Sequence, residues 1–301
     1  MTEISMTPDT SPAASPDSAT DALGQSARKS IPVSIRLAIG WVALMVLTAL
    51  LANLLRPYSI TALDLSARLQ PPVGFGGSWA HVLGTDELGR DVLSRLLVSI
   101  RVSLSLAFAA TLLGVLLGAA LGLMAAHFRG LVEQVVLVLI DVQAALPFII
   151  LALSVMAFIG NSQVLLVGLL ALYGWERHAR VVRGLALSAN TQGFMLAVRQ
   201  LGASPGRQYL RHLLPNISAT LIVITTLAFP EIILAESGLS FLGLGVQPPM
   251  TSLGNMVGYG RAYLSNAPWI PLFPSAVIVL TTLAISTLGD WLRDKLDPTV
   301  R

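Results

Sequence analysis

Cysteine does not occur in this 301-residue sequence, and charged side chains make up only 12% of it. The first absence excludes disulfides, thiolate metal sites and cysteine nucleophiles, and it leaves the redox compartment open. The second, set beside 54% hydrophobic residues and a mean hydropathy of +0.74, excludes an ordinary soluble domain. The four histidines are scattered without ligand spacing. No G-x-x-x-x-G-K-[ST] loop is present to cradle a nucleotide phosphate, and neither H-E-x-x-H nor a Ser/His arrangement supports hydrolysis. The net charge of +3 has no basic stripe interleaved with aromatics, which argues against a nucleic-acid partner. What remains is an integral membrane protein with several spans, its arginines clustered beside apolar runs where they set orientation.

Residues 1–31 are rich in Ser, Thr, Ala, Pro and Asp without apolar periodicity and are expected to be disordered. Arg28, Lys29 and Arg36 then precede Leu37 to Leu55, long enough for a ~30 Å hydrocarbon core. It reads as a retained span with its N-terminus inside, since no small-residue cleavage site follows. Arg56 to Ile100 is a polar outer segment in which Gly84, Thr85 and Asp86 form a turn with Thr85 or Asp86 capping the next helix. Asp91 and Arg95 stand at i, i+4 for a surface pair. Val102 to Ala126 forms a second span whose Gly114, Gly118 and Gly122 predict a close helix-packing seam.

Val135 to Ile159 reads as a third span containing Asp141 near the inner interface and Pro147 as a kink. A short fourth span covers Val164 to Trp175. From Glu176 to Asn216 six arginines face one acid, a positive-inside signal that places this stretch in the cytoplasm. Ala219 to Ala235 is the fifth span, with Glu231 and Glu236 expected at the outer interface. Glu236 to Pro249 is punctuated by small residues, and Trp269 to Leu288 makes the sixth span.

Within the basic stretch, Phe194, Ala197 and Leu201 recur at i, i+3 and i+7, predicting a short amphipathic helix. Gly202 interrupts it; Ser204-Pro205 opens a second helix, which Leu214-Pro215-Asn216 closes. A helix, glycine bend, helix and Leu-Pro stop between spans resembles the coupling loop of ABC importer permeases. That family has Glu-Ala-Ala, then a glycine, then an apolar residue and Leu-Pro. Here Leu196, Ala197 and Val198 occupy the first three positions, Gly202 the glycine, His212 the apolar position, and Leu214 and Pro215 the end.

DLSARLQPP followed by LGTDELGRDVLSRLL, which carries Gly84, Thr85, Asp86, Gly89, Arg90 and Asp91, resembles the outer segment of the second permease subunit in dipeptide, oligopeptide and nickel importers. ESGLSFLGLGVQPP, with Glu236, Gly238, Phe241, Gly243 and Gly245, resembles the same group, as do Leu253-Gly254-Asn255-Met256 and the ending GDWLRDKLDP. The resemblance implies an all-α permease with six transmembrane helices and both termini cytoplasmic. Its expected divisions are 1–31 as tail, 32–101 as first span plus outer segment, and 102–298 as a core with coupling loop 193–216. It also implies a bacterial or archaeal cytoplasmic membrane, a second homologous permease subunit, two ATP-binding subunits and an extracytoplasmic solute-binding protein. ATP and Mg then belong to those partners, and this chain holds no catalytic residue, metal or cofactor. Peptide is the first choice of cargo, nickel or a metal chelate the next. The competing class is an ion-coupled secondary transporter, which needs buried ionisable residues near the membrane midplane.

Overall fold

The computed structural model describes residues 31–296, so all but the last residue of the tail expected to be disordered lies outside the described residues, as does the end of the chain from 297. Among the described residues helices dominate and no strand is formed. α1 is Val33–Leu55, α2 Val92–Phe128, α3 Gly130–Ala145, α4 Phe148–Ile159, α5 Gln163–Ala189 and α6 Gly193–Gln200. α7 runs Pro205–Phe241, followed by α8, Leu253–Gly260, and α9, Trp269–Leu296. By length and composition α1, α2, α7 and α9 are each able to cross a membrane; the α3–α4 pair makes a fifth if its two parts act as one span. The expected fourth span, Val164 to Trp175, lies in α5, which is not among these helices: its first half is apolar and its second half carries the arginines.

α2 is the spine. It begins at Val92, ten residues before the expected span and across the expected 101/102 boundary, because Asp91 caps it by accepting from the Ser94 amide at 2.7 Å. Its glycines lie against the backbone of α5: a Cβ on Gly114 would stand 3.0 Å from the Ala171 carbonyl. On Gly118 it would stand 2.4 Å from that of Trp175, and on Gly122 2.5 Å from that of Ala179. The packing seam read from the small-residue spacing is thus present, with α5 as its partner. α7 packs on α2, α5 and α9, and Ile232, Ile233 and Leu239 join Leu166, Leu170 and Val92 in the main core.

Two spans differ from their sequence reading. The third is broken rather than kinked: α3 and α4 meet at 93°. Pro147 holds Leu146 extended (φ −91, ψ 127) and then caps α4, a geometry that the residue before proline favours. The second difference is at Leu214-Pro215, where no helix ends. The chain passes through a π-helical turn, Gln208–Leu213, in which the Leu214 amide reaches back to the Tyr209 carbonyl, and then continues as α7. Pro215 has no amide to give, and the widened turn before it lets the helix carry on past the missing bond.

Candidate functional site

The loop between α5 and α7 is organised by Arg199. Its guanidinium donates to Asn190 Oδ1 at 2.8 Å and to Gln208 Oε1 at 3.3 Å, and Gln208 donates in turn to the Ala203 carbonyl at 2.6 Å. One cation therefore ties the end of α5, the bend and the start of α7 together. Gly202 sits in the bend at φ +75, in the left-handed region that disfavours other residues, with open space around a Cβ. Tyr209, inside the π-turn, is buried and meets His127 at the end of α2, its hydroxyl 3.1 Å from Nδ1.

The apolar face of α6 is turned otherwise than the sequence pattern suggests. Met195 is fully buried and pins the helix, while Phe194, Ala197 and Leu201 are exposed. Leu196 is 47% exposed and does not pack under the second helix of the loop. Val198 is half-buried, as are His212 and Leu214, whereas Pro215 is exposed. Phe194, Leu196, Leu201 and Leu210 thus leave apolar surface open on a loop surrounded by arginines.

At the other end of the bundle, the 56–91 segment is locked by charge. Asp86 is fully buried and accepts from the Leu88 amide at 2.9 Å, the Arg90 amide at 3.0 Å and Arg90 Nε at 2.7 Å. Arg95 also pairs with Asp86 and is itself buried, so the expected surface pair of Arg95 with Asp91 does not form. Asp91 instead caps α2 and pairs with His81 Nδ1 at 3.0 Å; the capping role expected of Thr85 or Asp86 belongs to it. Thr85 Oγ1 donates to the Ala67 carbonyl and accepts from the Gln70 amide at 2.8 Å, and Trp269 Nε1 donates to the Thr85 carbonyl at 3.1 Å.

Gly84 and Gly89 both have positive φ. At Gly89 a Cβ would stand 1.7 Å from the Asp64 carbonyl, so only glycine fits beneath that turn. Asp64 caps a short 3-10 turn, and hydrogen bonds from the Ser66 hydroxyl and amide hold its carboxyl below the ordinary value. A cavity of about 400 Å³, lined by Glu87, Arg90, Arg95, Pro248, Pro249 and Tyr259 among others, opens beside this knot.

Glu236 is not interfacial. It is fully buried between α7, α2 and α8, accepting from Ser240 at 2.6 Å and from Ser103 at 3.2 Å, while Ser103 accepts from the Leu253 amide at 3.0 Å. Gly238 has open space at its Cβ position, and Phe241 lies under the Arg261 guanidinium at 5.2 Å. Gly243 turns the chain at φ +85, and Gly245 packs so closely on Ser240 that no Cβ fits.

Glu231 is likewise not an isolated interfacial acid. It meets Arg177 of α5 at 2.8 Å. The sequence places Arg177 in a cytoplasmic loop, but α5 continues to Ala189 and sets it mid-helix. Asp141 lies exposed on α3 and joins none of the ion pairs among the described residues.

Residues 111–301 match the family described as binding-protein-dependent transport system inner membrane component. The chain is 36% identical to the glutathione transport system permease protein GsiD of Pectobacterium atrosepticum, over 87% of this chain and 85% of that protein. It is 36% identical to the oligopeptide transport system permease protein OppC of Mycobacterium bovis, over 82% and 84% of the two chains. To the dipeptide transport system permease protein DppC of Alkalihalophilus pseudofirmus it is 35% identical, over 85% and 83%. Among solved structures, an inward-facing conformation of the MetNI methionine ABC transporter aligns with a TM-score of 0.54 at 19% identity. That alignment covers 67% of this chain and 96% of the other, which establishes the fold.

The chain belongs to the binding-protein-dependent transport system inner membrane components. It is a permease subunit, a transport component rather than an enzyme.

Proposed function

We propose that this permease forms half of a translocation pore for short peptides, paired with a second homologous permease and driven by two cytoplasmic ATP-binding subunits that dock on the 193–216 loop. The observation that carries this reading is the loop itself. It exposes Phe194, Leu196 and Leu201, and Arg199 braces it to the helices on either side. A push on such a loop reaches α5 and α7 together, which is how a rigid-body movement of a partner becomes tilting of the spans. ATP and Mg are held by those partners, and an extracytoplasmic binding protein delivers cargo to the end carrying the Asp86 knot. With α5 and the α3–α4 pair counted as crossings the chain spans six times, so both ends share one side, and the arginines between Glu176 and Asn216 favour the cytoplasmic one.

Peptide cargo is favoured by the relatives, whose names specify glutathione, oligopeptides and dipeptides. The test is reconstitution of the chain in liposomes with a partner permease, ATPase and binding-protein subunits from its own source. Uptake of short peptides should require ATP and the binding protein. Uptake that follows an ion gradient and ignores ATP would establish the ion-coupled alternative, for which buried Glu236 would then be the coupling group.

A further inference from the structure

The Arg177–Glu231 pair lies deep in the helical bundle. Arg177 is about 21 Å along α5 from Gln163 at ~1.5 Å per residue, and Glu231 is about 15 Å from the Phe241 end of α7. α5 is apolar before Arg177, with Leu169, Leu170 and Ala171, and carries Arg180 and Arg183 beyond it; on α7, Ala228, Ile232 and Ile233 flank Glu231. Trp175, His178, Ala179 and Val182 occupy the face of α5 turned to the buried interior. Arg177 and Glu231 point elsewhere, with side chains 48% and 44% exposed. Charges at this depth are disfavoured against hydrocarbon, so the open face is turned to water or to protein rather than to lipid.

Beside the pair a small cavity of about 60 Å³ is lined by Tyr173, Glu176, Arg177, Glu231 and Ile232 among others. Glu176 contributes a carboxylate oxygen, Oε2, that is buried without a hydrogen-bond partner. Two carboxylates and one guanidinium thus line one cavity, with acceptor capacity left on Glu176 and guanidinium donors left beyond the one given to Glu231. The volume suits a terminal group rather than a whole peptide.

We propose that Arg177 and Glu231, with Glu176, form a subsite on the translocation pathway for the charged ends of a peptide. Arg177 takes the terminal carboxylate, and Glu231 and Glu176 take the terminal ammonium. Each end of a zwitterionic peptide opens the bridge in turn, exchanging the Arg177–Glu231 pair for a pair with the cargo, and the bridge closes again behind it. This rests on the peptide-importer reading and adds to it a selection step independent of the binding protein.

The experiment uses the reconstituted complex with saturated binding protein, and three probes: alanine tripeptide with free ends, its N-acetylated form and its C-amidated form. The wild-type complex should transport the free-ended probe fastest. Glu231→Gln should slow it roughly tenfold and abolish the preference over the acetylated probe, while the preference over the amidated one survives; Arg177→Gln should do the reverse. The exchanged pair, Arg177→Glu with Glu231→Arg, restores a bridge but inverts the subsite, and should remain impaired. Glu231→Asp and Arg177→Lys, which keep the charges, should retain both preferences and control for folding. Wild-type probe ratios in the Gln variants, or full recovery in the exchanged pair, would reduce the bridge to a brace and overturn the proposal. If the wild-type complex moves none of the probes, the peptide reading itself fails and takes the subsite with it.

Discussion

Asp86 and Arg95 form an ion pair with both side chains almost completely shielded from solvent, joining the 56–91 segment to the first turns of α2. Removing one partner of such a pair leaves an uncompensated buried charge, at a cost of about 3–5 kcal/mol. Asp86→Ala is predicted to lower the unfolding midpoint of the detergent-solubilised protein markedly, followed by tryptophan fluorescence. Asp86→Asn with Arg95→Met should recover part of that loss, because no charge is then stranded. An unchanged midpoint in Asp86→Ala would show that the pair carries no stability.

Gly202 tests the bend of the loop. Its positive φ is unfavourable for other residues by about 1–2 kcal/mol, and open space at the Cβ means that backbone geometry alone sets the penalty. Gly202→Val should assemble but uncouple transport from ATP hydrolysis, whereas Gly202→Asn, which tolerates this conformation, should keep most of the coupling. The readout is peptide moved per ATP hydrolysed. Wild-type stoichiometry in Gly202→Val would make this glycine incidental.

Leu196 stands where the family's pattern has glutamate, and its exposure leaves it available to an ATPase groove rather than to its own loop. Burying a leucine stabilises by roughly 1.5–3 kcal/mol, comparable to or greater than a partly exposed ion pair. Leu196→Glu and Leu196→Ala are both predicted to weaken stimulation of the ATPase by loaded binding protein, the former by roughly tenfold. Should both variants match wild type, position 196 contributes nothing to docking.

The orientation assigned to the bundle is open to chemical labelling, since the native chain has no cysteine and both chosen positions are exposed. Ser78→Cys should react with a membrane-impermeant thiol reagent in intact cells, and Ser204→Cys should react only after permeabilisation. The reverse pattern would invert the topology.

Local spacing foretold what depends on local backbone: α6, the bend at Gly202 and the glycine seam of α2. It failed where distant partners decide. Proline ordinarily stops a helix, and nothing near Pro215 announces the π-turn that carries α7 past it. Glu236, at the end of an apolar run, reads as interfacial until Ser103 is brought to it from another helix. Arg177 and Glu231 look like a cytoplasmic cation and an outer acid for the same reason, because their meeting requires knowing how far α5 extends. Arg95 has two acids within reach along the chain, and only folding selects Asp86 over Asp91.

The contact of α2 with α5 through Gly114, Gly118 and Gly122 has a mechanical corollary. With backbone close against backbone at three successive turns there is little room for side chains to slide or re-rotamerise, so the two helices behave as one double-walled beam. Any thrust delivered at residue 190 is then conveyed along this beam as a tilt of both helices at once. Compliance falls to the places where the chain is jointed: the right-angled corner at Leu146-Pro147 and the abrupt reversal at Arg129-Gly130. Helix α3 is clasped to the beam by the hydrogen bond of Arg183 to Glu133 at 2.8 Å, so it travels with it.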